Sequence, residues 1–303
     1  MLNIERILTN QRQTSAMIGL TPDEFTQLIP GFEQIWIQAK KRQHNYHAER
    51  KIGGGRKGFL KTMQEKLFFE LFYYKCYPTY DLLSAIYDCN RANACRRQHE
   101  LSVLVEKTLG KKLVLPKRQM RTLEDFYKAF PEAKEIFIDG TERPIQRPQD
   151  KQKQKDNYSG KKKRHTRKNL VITDKRKRVG FLGKTVTGKT HDFTMLKHHA
   201  HPNHLPPTIK KHLDLGFQGF QTQFPNHIVS MSKRKSKTKE LSEFAKLRNK
   251  KKSSVRVLVE NALAGVKRLN IVAHVFRNKK EHFDDKVMLV SCGLWNYHLA
   301  MSC

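Results

Sequence analysis

Ile136-Phe137-Ile138-Asp139-Gly140-Thr141 decides the fold of this chain. Three apolar, strand-favouring residues closed by an acid and a glycine read as a buried strand running into a turn. Around this stretch strands and helices alternate. Leu170 to Thr173 and Val179 to Leu182 are further short apolar runs, and a helix is expected from His191 to about His199. Strands follow near Leu213 to Phe217 and Ile228 to Met231. A helical stretch from about Lys239 to Leu269, interrupted near Lys252-Ser253-Ser254, and a last helix from about Asp284 to Leu299 end the series. Three strands, a helix, a strand and later helices are compatible with an RNase H-like α/β domain over residues 135–303.

Upstream of Glu135 the pattern is helical. Thr21-Pro22-Asp23-Glu24 is a capping box with proline at the first helical position, and Phe25, Leu28 and Ile29 follow as its buried face. Pro30-Gly31 reads as a break before a second helix from Phe32 to Gln43. The glycine-rich run from Gly53 to Gly58, with Arg56 and Lys57, reads as a basic joint. Leu60, Met63, Leu67, Phe68, Leu71 and Phe72 then recur at helical spacing until Pro78. A short helix at about Tyr80 to Tyr87, a turn at Asp88-Cys89-Asn90 and a longer helix from Arg91 to Leu109 follow, the last ended by Gly110. That order is the grammar of a helix-turn-helix, so residues 1–115 are read as an all-α DNA-binding domain and 116–134 as a basic linker. Arg91, Asn93, Arg96 and Arg97, early in the third helix, suit phosphates and base edges.

Charge names the partner. Sixty Lys and Arg against 28 Asp and Glu give a formal net charge of +32, far more than solubility requires. An excess of this size repels itself in a compact state unless a polyanion neutralises it. The ten basic residues of the segment from Arg147 to Lys168, among them Lys161, Lys162, Lys163 and Arg164, face only two acids, and Lys233 to Lys252 has the same tally. Two such runs bracketing one candidate site point to a bound phosphate backbone. No apolar run approaches the roughly 20 residues of a membrane span, so a membrane partner is not expected. Cys76, Cys89, Cys95, Cys292 and Cys303 are odd in number and irregular in spacing, as reduced thiols of a cytoplasmic protein are. His198, His199, His201 and His204 cluster without an acidic or thiol partner nearby, which makes a poor metal site.

Three acids stand out. Asp139 ends one strand, Asp214 sits in Leu213-Asp214-Leu215-Gly216-Phe217 at another strand end, and Glu260 lies in a helix. Each alone is ordinary: a turn, a cap, a solvated side chain. Arg256, Glu260 and Lys267, however, fall within roughly a 40° arc of one helix face, at about 100° per residue. Acids rigidly held at strand ends, closed by a helical glutamate between two cations, suit two magnesium or manganese ions doing phosphodiester chemistry.

At these residues the chain resembles the DDE transposases of bacterial insertion sequences, of the insertion-sequence-five type. The matching stretches are IDGTER (138–143), YSGKKKRHTRKN (158–169), GKTHDFTMLK (188–197), LDLGFQGF (213–220) and RVLVENALAGVKR (256–268). The family's carboxy-terminal signature is Tyr, Arg, Glu and Lys at set spacing; Arg256, Glu260 and Lys267 match it and Ser253 replaces the Tyr. The resemblance spans roughly residues 20 to 300. It implies catalysis and metal binding by Asp139, Asp214 and Glu260 and a place near the site for His191, though Asp192 alone reads as a helix cap. It further implies nicking at terminal inverted repeats, attack of the 3′-hydroxyl on target DNA, a homodimer or higher oligomer on double-stranded DNA, and action at the bacterial nucleoid.

Two other readings compete. Gly183 to Thr190 satisfies the phosphate-loop pattern G-x4-G-K-[ST], but no later strand of four apolar residues ends in a magnesium-binding acid, and His191-Asp192 just afterwards fits the transposase motif better. A non-catalytic regulator derived from a transposase would keep the helix-turn-helix and basic segments, with no need to keep three acids.

Overall fold

The computed structural model describes residues 2–43, 58–234 and 241–302. The joint expected at residues 53–58 lies, except for Gly58, outside them. The chain divides into two compact units.

The first unit comprises the described residues of Met1–Leu115 together with Arg268–Ile271 and Asn296–Cys303. It is helical: α1 (Ile4–Leu8), α2 (Gln11–Ile18), α3 (Pro22–Gln43), α4 (Met63–Cys76), α5 (Tyr80–Tyr87) and α6 (Arg91–Lys111). The capping box forms, with Thr21 N–H donating to Glu24 Oε2 at 2.8 Å and Glu24 N–H to Thr21 Oγ1 at 3.2 Å. The expected break at Pro30-Gly31 does not occur, and α3 runs through Pro30. Proline removes one hydrogen bond, but Phe25, Leu28 and Phe32 on either side are all fully buried, and that packing holds the two halves in line. Phe68, Phe69, Tyr74, Leu83, Tyr87, Leu101 and Leu109 fill the core among α4, α5 and α6. Asn90 caps α6 by accepting from Ala92 N–H at 2.8 Å, and the helix continues through Gly110 to Lys111.

The second unit, Pro116–Lys267 and Val272–Trp295, is a mixed sheet with helices. Its elements are α7 (Leu123–Ala129), β1 (Glu135–Pro144), α8 (Lys151–Asn157), β2 (Tyr158–Ser159), β3 (Arg164–Thr173), β4 (Val179–Leu182), β5 (Val186–Thr187), α9 (Asp192–His199), β6 (Lys210–Leu213), α10 (Phe220–Gln223), β7 (Val229–Met231) and α11 (Glu243–Lys267). A short α12 (Asn270–Ala273) and a long α13 (Phe283–Met301) follow, and each has residues in both units. The strand order is β2-β3-β1-β6-β7, with β4 and β5 also paired to β3. β1, β3 and β4 pair antiparallel, whereas β6 and β7 join β1 in parallel.

Three expectations need correction here. Residues 116–134 are not merely a linker: Met120, Phe126 and Phe130 are buried in the same core as Ile136, Ile138, Leu170 and Phe181. The strand expected at Leu213 to Phe217 ends at Leu213 and begins at Lys210. Buried polar residues hid its start, for Lys211 donates to the carbonyls of Pro207 and Ile209 at 3.4 and 2.7 Å, and His212 Nε2 lies 2.8 Å from Glu135 Oε2. Third, α11 is not interrupted at Ser253-Ser254. Both serines are exposed, and Ser254 Oγ turns back to Lys251 O at 2.8 Å, a local bond that leaves the helix intact.

Candidate active site

Ile136, Phe137 and Ile138 are buried because β1 lies between β3 and β6 in the middle of the sheet. The parallel register pairs Ile138 with Leu213, so Asp139 and Asp214, the next residues, stand at the same level. β6 ends there, but β1 runs on along β3 to Pro144, so the acid expected at a strand end lies within the strand. Asp139 is half-buried, and Gly140 N–H donates to its Oδ1 at 2.8 Å. Burial pushes the Asp139 carboxyl up to about 6; the Gly140 bond and Arg256 oppose this, while Asp214 and Asp192 add to it. Asp214 opens the 3-10 turn Leu215–Phe217, and its Oδ1 lies 3.0 Å from Arg256 Nη1.

α11 supplies that arginine. Val259, Ala262, Leu263 and Val266 are its buried face. Lys267, near the end of the same helix, has its pKa lowered by burial and by Lys162, and Asp139 and Glu142 partly restore it. Arg256 and Lys267 therefore both face the paired acids Asp139 and Asp214, and Glu260 lies between them on one arc of the helix. Glu260 is exposed. Among the described residues no three His, Cys, Asp or Glu side chains group closely enough to hold a metal ion, the four clustered histidines included.

Asp139 and Asp214 are thus brought together with Arg256 and Lys267, and Glu260 stands on the facing helix without closing on them. The donor chemistry still fits a hard divalent cation. Carboxylate oxygens are its preferred ligands, and the burial that raises Asp139, with the neighbouring acids Asp214 and Asp192 adding to it, is what a cation would offset.

A groove of about 590 Å³ opens beside these acids. Tyr158, Ser159, Gly160, Lys161 and Lys168 line one part of it, and Lys189, His191, Asp192, Asp214, Gln218 and Arg234 line others. Lys161, Lys162, Lys163 and Arg164 are all exposed at the β2–β3 turn. Within the first basic segment α8 and β2 precede a turn at residues 160–163, and β2 pairs antiparallel with the start of β3. His191 is exposed and precedes α9 without a side-chain capping bond. Asp192, expected as that cap, is instead the first helical residue and pairs with Lys168 at 3.3 Å. Sequence reasoning counted Lys168 only as the end of a basic run; in β3 it is buried, as its neighbours Thr166 and Asn169 are, which no local pattern signals.

The phosphate-loop pattern is committed to the sheet. Val186 and Thr187 pair with Lys168 and Arg167, so the backbone that would cradle a phosphate is spent on a strand ladder. In the helical unit Arg91, Asn93 and Arg96 are exposed on the first turns of α6. Arg91 pairs with Asp81 at 3.3 Å, Arg96 donates to Asn93 Oδ1 at 2.7 Å, and Arg97 pairs with Glu100.

Residues 138–296 match the family model described as DDE superfamily endonuclease, and residues 59–111 match the helix-turn-helix of DDE superfamily endonuclease. A probable transposase for insertion sequence element IS702 from Microchaete diplosiphon is 28% identical over 242 residues, covering 79% of this chain and 82% of that protein. No solved structure matches the chain.

Proposed function

This chain belongs to the DDE superfamily endonucleases, as a DDE-type transposase/endonuclease with a helix-turn-helix, and we propose that it moves a DNA element by cutting and joining its ends. It binds terminal inverted repeats, nicks the DNA there and joins the exposed 3′-hydroxyl to target DNA. The observation that carries this reading is the placing of Asp139, within β1, and Asp214, just past β6, at one level of the sheet under the Arg256 and Lys267 face of α11. The antiparallel β1, β3 and β4 followed by parallel β6 and β7 support an RNase H-like plan for the second unit.

Asp139, Asp214 and Glu260 are the residues that would hold two magnesium or manganese ions. When bound, such ions activate the attacking oxygen and neutralise the leaving one. The protein's own side chains orient the strand. Arg256 neutralises Asp214 and offers its remaining donors to a phosphate, as the guanidinium fork suits. Lys267 adds positive charge next to Asp139. Lys161 to Arg164, at the exposed turn, take the backbone farther along. The molecule would act on double-stranded DNA at the nucleoid, as a homodimer or larger assembly. Among the described residues no helix is long and apolar enough to cross a membrane.

The direct test uses purified protein, magnesium and a duplex made from the DNA flanking its gene. Nicks at the repeat ends, followed by transfer of the new 3′ end into a second duplex, are expected. Tight specific binding without any nicking would identify a regulator instead.

End recognition belongs to α6. Arg96→Ala should lower discrimination between terminal and scrambled DNA by about 1–3 kcal/mol, as loss of a base-reading side chain does. Arg96 is exposed and bonds, among the described residues, within its own helix to Asn93, so its replacement should leave the packing alone. Arg97 is a poorer probe because its partner Glu100 also holds Lys40 of α3 at 3.0 Å. Equal discrimination by wild type and Arg96→Ala in a competition binding assay would remove Arg96 from the recognition surface.

A further inference from the structure

Lys168 sits in the groove wall at only 9% exposure. Its Nζ lies 3.3 Å from Glu142 Oε1 and 3.3 Å from Asp192 Oδ1, and donates to Thr190 O at 3.1 Å. Glu142 stands opposite Lys168 in the β1–β3 register and accepts from Thr166 Oγ1 at 3.0 Å. An ammonium removed from water is destabilising by several kcal/mol unless oxygens replace its hydration, and here three do. A lysine meant only to meet phosphate would stay in solvent, as Lys161 does.

What Lys168 holds is a carboxylate in a specific gap. A Cβ added to Gly140 would come within 2.8 Å of Asp192 Oδ1, and one added to Gly216 within 2.4 Å of Asp192 Oδ2. Gly140 follows Asp139 in β1, and Gly216 lies two residues after Asp214. The Asp192 carboxyl group is therefore wedged between the two backbone segments that carry the paired acids. Both glycines are needed for it to fit.

We propose that Lys168 and Asp192 are positioning residues: Lys168 anchors Asp192, and the Asp192 carboxylate, seated between Gly140 and Gly216, sets the separation and aim of Asp139 and Asp214. The proposal rests on the transposase reading for what those two acids hold. Lys168→Met and Asp192→Ala remove the anchor and the wedge; Gly216→Ala adds one methyl that evicts the wedge.

The experiment titrates manganese into each full-length variant, reading free ion by electron paramagnetic resonance, beside nicking, DNA affinity and thermal unfolding. Partners that orient metal ligands are typically worth 10–100-fold in metal affinity or activity, and losses of that size are expected in all three variants. DNA affinity should stay within about threefold, because phosphate contacts elsewhere carry it. Lys168→Arg, which keeps the charge, should recover part of the manganese affinity, whereas a purely space-filling role would favour the Met variant. Wild-type-like manganese affinity in Gly216→Ala and Asp192→Ala, beside loss in Asp139→Asn, would overturn the positioning role and leave the transposase reading intact. Should Lys168→Met fail to fold, Gly216→Ala decides alone: unchanged manganese affinity there is fatal to the proposal. No manganese binding by the wild type would overturn the metal-dependent reading and this inference with it.

Discussion

Asp139→Asn and Asp214→Asn should each lower metal-dependent nicking by about 10³-fold or more, some 4 kcal/mol of transition-state stabilisation, while DNA affinity stays nearly intact. An amide keeps the shape of the carboxylate but is a poor ligand for a hard cation. DNA affinity survives because it rests on cations at the β2–β3 turn and on α6. Glu260→Gln should fall with the other two if α11 closes the third side of the site; near wild-type nicking by that variant would remove Glu260 from the ligand set. The Asp139 substitution carries a second signature that needs no substrate. With its carboxyl raised to about 6 by burial, the folded protein holds a proton that the unfolded chain releases at ordinary carboxylate pH. Stability of the metal-free wild type should therefore fall as pH rises from about 4 to about 6, and stay reduced above. Asp139→Asn cannot ionise, so it should be the more stable protein at pH 8, by about 1–3 kcal/mol, and no more stable at pH 4. Denaturant titrations at the two pH values, without divalent ions, read this directly. A constant difference between wild type and variant would mean that Asp139 is not held in the desolvated place described.

Replacing Lys161, Lys162 and Lys163 together by Gln should weaken binding to any duplex, whatever its sequence. Three lost phosphate contacts should reduce the slope of log affinity against log salt by about 2–3. At 0.1 M salt this amounts to a loss on the order of 10²-fold. All three side chains are exposed, so the fold should not suffer. Lys162 is close enough to Lys267 to help lower its pKa, which places the turn beside the paired acids. Preference for terminal over scrambled DNA should be unchanged, since backbone contacts carry no sequence information. An unaltered salt slope would reduce this basic run to a solvated surface.

Elements whose burial follows a simple apolar pattern were readable. The buried start of β1 was found from Ile136, Phe137 and Ile138, though the strand runs on to Pro144; α5 was found at its observed limits, with Leu83 buried but Leu82 exposed. Misreadings gather where polar residues are buried. Arg164 to Asn169 begin β3, but with no apolar residue among them only Leu170 to Thr173 read as strand. Lys211 and His212 are almost wholly buried, and they concealed β6 until its last residue. The site follows the same division. Asp139 could be picked out because it follows an apolar run, Asp214 because it lies among Leu213, Leu215 and Phe217, and Arg256, Glu260 and Lys267 because one helix spaces them. Asp192 looked like a cap because its other partners, Lys168, Gly140 and Gly216, are brought to it only by tertiary structure. No local pattern could link them.

The helical unit also borrows late sequence. Tyr297 donates to Glu24 O at 2.9 Å, His298 Nδ1 meets Glu24 Oε1, and Asn296 donates to Val114 O at 2.8 Å. Lys75 likewise donates to Arg268 O at 2.8 Å. A nascent chain therefore cannot finish this unit until the ribosome has passed position 298, long after the helix-turn-helix itself has emerged. A gene copy carrying a stop codon before α13 would lose the bonds of Asn296, Tyr297 and His298 while keeping that of Lys75 to Arg268, and Tyr297 would no longer cover its part of the unit. Such a copy should yield an unfinished helical unit.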